Sequence, residues 1–343
     1  MKKLFFFYQM TFISTILLFS TTAYSKTILK IQTAGTDKSF NYIYMKDVWV
    51  PKLEEMTKGE IVIKLLPAKS VIETSNTPDA ISTGILDGDL TAIAYFSSRN
   101  AGFDIMGDLI AGYNHPTELQ SFCKDGGGEQ VLQKLWDKAL PNKIQVIGCG
   151  AYTREALVSK VPIKGVADLK GVSIRSPEGM AANVFKAAGA NPMVISFADI
   201  PQSLDAGIIS AADASSYSNN DGNGMHKNAK YPIYPGIHSM ATEQFTVSKK
   251  LWDSLSAENQ KILKNWFYDA YADMSKKIEA KDKELVARDK SQGEITVVDW
   301  SVGERDKFRK IAEVVWQDTA KKSPEAQAAL DANISYMKKI GLL

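Results

Sequence analysis

Two arginines and an aspartate are the residues of this chain best suited to recognising a charged small molecule. Arg175 closes a short β-type run, GVSIR, and is followed by Pro177 and by Ala182, Val184, Phe185 and Ala188 at helical spacing. Arg154 lies 21 residues earlier, and Asp213 closes the stretch that opens at Asp168. A guanidinium is a planar fork of donors that matches the oxygens of a carboxylate, sulfonate or phosphate; a lysine does not reproduce it. At the carboxyl end of a strand, Arg175 would point into the cleft where open α/β sheets place ligands. On composition alone it is a surface charge, and Arg154 has an ion pair with Glu155 as its alternative. No catalytic signature accompanies them: G-x-S-x-G, HExxH and a Cys-His arrangement are all missing. Gly126-Gly127-Gly128 is not followed by Lys-Ser/Thr, so it reads as a helix interruption and not as a phosphate loop.

The elements that must position these residues alternate along the chain. Strands are expected at 28–32, 60–66, 90–95 and 143–149, with helical periodicity at 42–56, 77–86 and 117–140. From Val247 the chain reads as one long helix broken near Ala257, then a late strand at 294–300 and a helix through Trp316. Alternation of this kind predicts an α/β fold with helices on the sheet faces. A mature length of about 318 residues favours two lobes over one core.

The order DLKG, IR, P, GANP and then Leu204, Gly207 and Ile208 resembles the solute-binding components of tripartite ATP-independent periplasmic (TRAP) transporters. ILKIQTAG, GEIVIKLLPAKSVIE and ISTGILDGDLTAI extend the resemblance over nearly all of the mature chain. It implies a two-lobed periplasmic binding protein fold, type II-like, with a long helix spanning both lobes. Lobe I would cover 26–150, with part of 240–285 returning to it; lobe II would cover 151–239, with 290–343 packing on it. It also implies that Arg175 clamps the acid group of the ligand, that hinge closure traps it, and that TRAP membrane permease subunits receive it. The chain would be a monomer or a homodimer.

The same resemblance makes Glu73, Phe40, Tyr95 and Phe96 candidates for the lobe I side of the cleft. For Glu73 a solvated loop carboxylate, and for Phe40 a helix-cap hydrophobe, are the plainer readings. GMHKNAKYPIYPGIH resembles the branch that binds 2-oxo acids, in which a metal is held by a glutamine, a glutamate beside a tryptophan, and a second glutamine. The matching positions here are Arg154, Asp213 with Ala214, and Ser239. An arginine has no acceptor for a metal, and one carboxylate with a hydroxyl is a poor oxygen cage. The expectation is therefore no required metal or other cofactor, with Arg154 supplying positive charge instead. Ser215, Tyr217 and the nearby asparagines offer polar groups to the ligand, or form a solvated loop. A small organic anion is the expected ligand. A zwitterion or polyol is the alternative, and an exported enzyme or a sensing partner of a receptor is the alternative of another class.

Met1–Ser25 reads as a cleaved secretory signal: Lys2 and Lys3, an apolar run, then Ala23-Tyr24-Ser25. Its removal takes two from the 41 Lys+Arg and leaves 39, against 39 Asp+Glu. A balanced chain without a basic cluster argues against a nucleic-acid partner. Cys123 and Cys149 have no metal-type spacing, and nothing in the sequence brings them together, so free thiols are expected.

Overall fold

The computed structural model describes residues 26–237 and 239–343. The expected export signal, Met1–Ser25, and His238 lie outside the described residues.

Among the described residues nine strands form two sheets. The first contains β1 (Thr27–Thr33), β2 (Ile61–Leu66), β3 (Gly88–Ala92), β4 (Ile144–Gly150) and, from much later in the chain, β9 (Glu243–Ser248), in the order β2-β1-β3-β9-β4. The second contains β5 (Ala156–Ser159), β6 (Ser173–Ser176), β7 (Asn191–Val194) and β8 (Ala211–Ser215), in the order β5-β8-β6-β7. β1 pairs in parallel with β2 and β3, and β6 in parallel with β7 and β8, as helical crossovers require. β9 runs antiparallel between β3 and β4. The chain thus passes from the first sheet to the second after β4 and returns before β9. These two crossings lie side by side, joined by the Glu155 N–H donating to the Ser239 carbonyl at 2.8 Å.

A third connection is the helix Ala257–Gln292, capped at its start by the Ser256 side chain and ended by Gly293 in the left-handed region. Its first half buries Trp266, Phe267 and Tyr271 around Phe245 of β9 and the strand β4. Its second half holds the other lobe: Asp282 accepts from the Ser218 backbone N–H at 2.8 Å, and Asp289 accepts from the Tyr217 hydroxyl at 2.6 Å. This helix therefore spans both lobes.

Several local expectations change. The segment 117–140 is two helices, Pro116–Asp125 and Gly128–Ala139, with the interruption at the glycines where the sequence places it. Val247 and Ser248 end β9 and do not start a helix. The late strand at 294–300 reduces to a single bridge, Ile233 to Val298. The segment 290–343 divides: the helix Val302–Ala320 packs on Met180–Ala187 of the second lobe, and the last helix, Pro324–Lys339, packs on Ala101–Gly107 and Gly128–Ala139 of the first-sheet lobe, with the Tyr113 hydroxyl donating to Asn333 at 2.9 Å. The cysteines are corrected outright: Cys123 on Pro116–Asp125 and Cys149 on β4 form a disulfide, with Cα atoms 5.5 Å apart. The helix packs directly on its neighbouring strand, a proximity that 26 residues of intervening sequence do not reveal.

Candidate ligand-binding site

Arg175 is 3% exposed, in the interior strand β6. Its Nε donates to the Ile195 carbonyl just beyond β7 at 2.7 Å, and its Nη1 to the Asp213 carbonyl of β8 at 2.6 Å. Both flanking strands thus hold the guanidinium, and Nη2 has no protein partner among the described residues. Arg175 lines a cavity of about 60 Å³ where the two sheets meet. One water needs roughly 10–15 Å³, so the space suits a solute of a few heavy atoms.

The cavity walls come from both lobes. Ala34, Gly35 and Asn41 follow β1, Tyr95 follows β3, and Phe197, Ala214 and Ser215 come from the second lobe. A bulge between Ala156 and Leu157 puts β8 out of regular register with β5, so adjacent Ala214 and Ser215 both face the cavity. The crossings between lobes supply Tyr152, Thr153, Glu155 and Ala241.

Beneath the cavity three carboxylates converge. Asp108, Glu155 and Asp213 each offer an oxygen within 4.8 Å of the others, and all three are buried. The Ser239 hydroxyl lies 2.6 Å from Asp108 Oδ2, 3.1 Å from Glu155 Oε2 and 3.5 Å from Asp213 Oδ2, and the Met240 N–H donates to Asp108 Oδ1 at 3.3 Å. One hydroxyl proton cannot satisfy three carboxylates. Burial pushes the Asp108 carboxyl up to about 7, helped by Asp213. Burial pushes Glu155 well above the usual range, with Asp213 and Asp108 adding to it. Asp213 rises to about 6 by burial, although Arg175 and Ser239 oppose the rise. Glu243, also on the cavity wall, rises by burial to about 7 against the hydrogen bond from Tyr271.

Of the candidates from sequence, Arg175, Ser215 and Tyr95 line the cavity, and Asp213 and Ser239 lie behind it against the lining residues Asp108 and Glu155. Arg154 does not join them. Its neighbour Glu155 turns inward and Arg154 turns to the other side, donating to the Asn114 carbonyl and lining a separate cavity with His115, Tyr234, Glu279 and Asp282. Phe96 is fully buried against Phe103 and Trp136, and Tyr217 is committed to Asp289 and the His226 ring. Glu73 is an exposed partner of Lys69 at 3.5 Å. Phe40 stacks on Tyr44, and only its backbone N–H reaches across the cleft, to Asn219 Oδ1 at 2.7 Å. Asn219, one of the asparagines read as offering polar groups to the ligand, lines the cavity, whereas Asp108, Glu155, Glu243, Tyr152 and Asn41 went unread. Glu155 had a signal, being adjacent to Arg154 in a segment already singled out; Asp108 had only the unusual glycine- and aromatic-rich run around it.

The acidic floor also changes the metal argument. A cage of one carboxylate and a hydroxyl was the reason for expecting no metal, and the fold adds Asp108 and Glu155. Three carboxylates and a hydroxyl are hard oxygen donors of the kind that Na⁺ or Ca²⁺ accepts.

Residues 32–323 match the family model described as bacterial extracellular solute-binding protein, family 7. The chain belongs to this family, the extracytoplasmic solute-binding proteins of TRAP transporters, which bind solutes for transport and are not enzymes. The monocarboxylate 2-oxoacid-binding periplasmic protein of Nostoc sp. is 24% identical over 90% of this chain and 84% of its own length. A TRAP periplasmic solute-binding protein of Rhodobacter sphaeroides, solved in an apo open state, is 37% identical with a TM-score of 0.74, covering 92% of this chain and 99% of that one. Another, from Pseudoalteromonas atlantica with bound sodium and pyruvate, is 21% identical with a TM-score of 0.80, over 93% and 96%.

Proposed function

We propose that the mature protein captures a small organic acid in the cavity beside Arg175 and delivers it to the permease subunits of a TRAP transporter. The observation that carries this is the guanidinium itself: buried, oriented by two backbone carbonyls, and left with one nitrogen facing a cavity between lobes. Such a group meets a carboxylate or sulfonate without first having to be ordered, and each charge-assisted bond contributes about 1.5–3 kcal/mol when water is excluded. Ser215, Asn41, Asn219 and Tyr95 complete the contacts, so the solute touches both lobes and favours the closed state by that difference. The lobes are 26–150 and 151–239, and Met1–Ser25 directs export and is removed. This grip requires no metal. A Na⁺ or Ca²⁺ ion, when bound, would be held by Asp108, Glu155, Asp213 and Ser239 and would add positive charge for the solute's acid group.

The test is the thermal midpoint of refolded, solute-free mature protein against a panel of small organic acids. A solute at a thousandfold excess over its Kd stabilises by about 4 kcal/mol, and Arg175→Ala is expected to abolish that gain. Undiminished stabilisation of Arg175→Ala would remove the arginine from the mechanism.

A further inference from the structure

We propose that the nest of Asp108, Glu155 and Asp213 receives a positively charged nitrogen of the solute, so that the captured molecule is a short amino acid whose acid head meets Arg175. The proposal rests on the capture of an acid by Arg175 and deepens it.

The charge census of the cavity motivates it. One guanidinium stands against Asp108, Glu155 and Glu243 on the walls and Asp213 behind them. A plain acid brings these carboxyl groups, which burial raises toward their neutral form, no positive charge, whereas the ammonium of a zwitterion favours their ionised form and pairs with it. The open acceptors give a second reason. Both Asp108 oxygens already accept, from Ser239 and from the Met240 N–H. Among the described residues Asp213 Oδ1 is buried with no hydrogen-bond partner, and Asp213 itself is 1% exposed. Glu155 receives one bond, at Oε2, and lines the cavity. An unpaired buried carboxylate oxygen is costly to leave unsatisfied. An ammonium group has three donors, which suits this small number of open acceptors. Calcium takes six to eight oxygens, so nearly every oxygen of the three carboxyl groups and of Ser239 would have to turn toward it. The proximity of Arg175 acts in the same direction, since a single positive charge is repelled by the guanidinium half as strongly as a double one at the same place. Finally, the guanidinium donates to the backbone carbonyl of Asp213 itself at 2.6 Å, so acid head and nitrogen sites are adjacent and the small cavity favours a short solute.

The experiment uses matched sets with one carbon skeleton: alanine, lactate and pyruvate, and β-alanine with 3-hydroxypropionate. Each is titrated by calorimetry into solute-free mature protein in chelator, and again with Ca²⁺ restored. The expected result is that one amino acid binds in chelator at least tenfold more tightly than its hydroxy or oxo counterpart. Glu155→Gln and, separately, Asp213→Asn should erase that preference, so that within each variant the amino acid binds no more tightly than its hydroxy or oxo counterpart. Equal or tighter binding of the plain acids in chelator would overturn the proposal. So would plain acids that bind only once Ca²⁺ is restored, an outcome that would assign the nest to a metal. In the matched titration of Arg175→Ala, a preference for the nitrogen that survives together with undiminished affinity for the acids would keep this inference and sink the arginine grip. The absence of binding by every member of the panel overturns the amino-acid assignment.

Discussion

Residues in this site behave against their usual chemistry because the fold removes them from water. Asp108 follows the helix Ala101–Gly107, Glu155 lies on the first crossing, Asp213 on β8 and Glu243 on β9, with Arg175 on β6 and Tyr152, Tyr95 and Tyr271 as the other charged or titratable neighbours. Their carboxyl groups are raised in the folded state, so the folded protein binds protons that the unfolded chain, with ordinary values near 4, does not. Stabilisation from that difference is fully present below about pH 4 and is lost as pH rises through about 6 for Asp213 and about 7 for Asp108 and Glu243. The thermal midpoint of the solute-free protein is therefore expected to rise as pH is lowered from 8 to 5.5. Asp108→Asn should flatten the dependence and raise the midpoint at pH 8. A midpoint that falls over this range in the unsubstituted protein, or an Asp108→Asn variant with an unchanged slope, would show that these carboxyls are not driving it. Asp221, held low by His226 and Arg288, contributes in the opposite sense, but its contribution is lost only at far lower pH and leaves this window unaffected.

At the scale of elements, two constraints hold the site walls in place. Gly236 has φ of +86°, and a Cβ there would come within 2.1 Å of the Glu155 carbonyl, so the two crossings approach this closely only because the residue is glycine. That approach is what aims Glu155 at the nest. The other constraint is the Cys123–Cys149 disulfide, which ties the helix Pro116–Asp125 to β4, the strand that leads into the first crossing. With 26 residues of separation, the chain-entropy relation assigns it about 3.5 kcal/mol. Replacing both cysteines by serine is expected to lower the unfolding free energy extrapolated from denaturant titration by that order while the ligand affinity of the folded fraction stays within about twofold. Loss of affinity in the folded variant would give the bridge a role in shaping the site.

For the whole molecule, the cleft is closed by contacts between lobes. The Phe40 N–H and Asn41 meet Asn219, Thr36 and Ser39 meet Asn223, and Lys69 meets Asp199 at 3.0 Å. These are not equivalent. The Lys69 to Asp199 pair is at the exposed rim, where such pairs contribute about 0–1 kcal/mol, whereas Asn219 is buried and bonds both the opposite lobe and Ser215 on the cavity wall. Asn219→Ala is expected to cost about 1–2 kcal/mol of closure, read as a roughly tenfold weaker Kd and a larger radius of gyration at subsaturating solute. Asp199→Ala should change Kd by less than about threefold. Equal effects of the two substitutions would place the closing energy at the rim.

How much of this was legible in the sequence varied with the range of the interaction involved. The alternation of strand and helix, the interruption at Gly126–Gly128 and the place of Arg175 at the end of a strand are local, set by periodicity and turn chemistry within a few residues, and each appears in the fold. The family resemblance carried the two lobes and the spanning helix. Local patterns could not decide which of Arg154 and Glu155 turns inward, because adjacent side chains at a strand entrance point to opposite sides and the choice depends on the crossing beside them. Nor could they bring together Asp108, Asp213 and Ser239, which lie about a hundred residues apart in places, or pair Cys123 with Cys149. Chemistry that depends on one residue and its immediate neighbours was thus determined by the sequence alone. The acidic floor of the site was decided only when tertiary packing enclosed four carboxyl groups and one guanidinium in the same volume, removing the water that would otherwise have kept their charges independent.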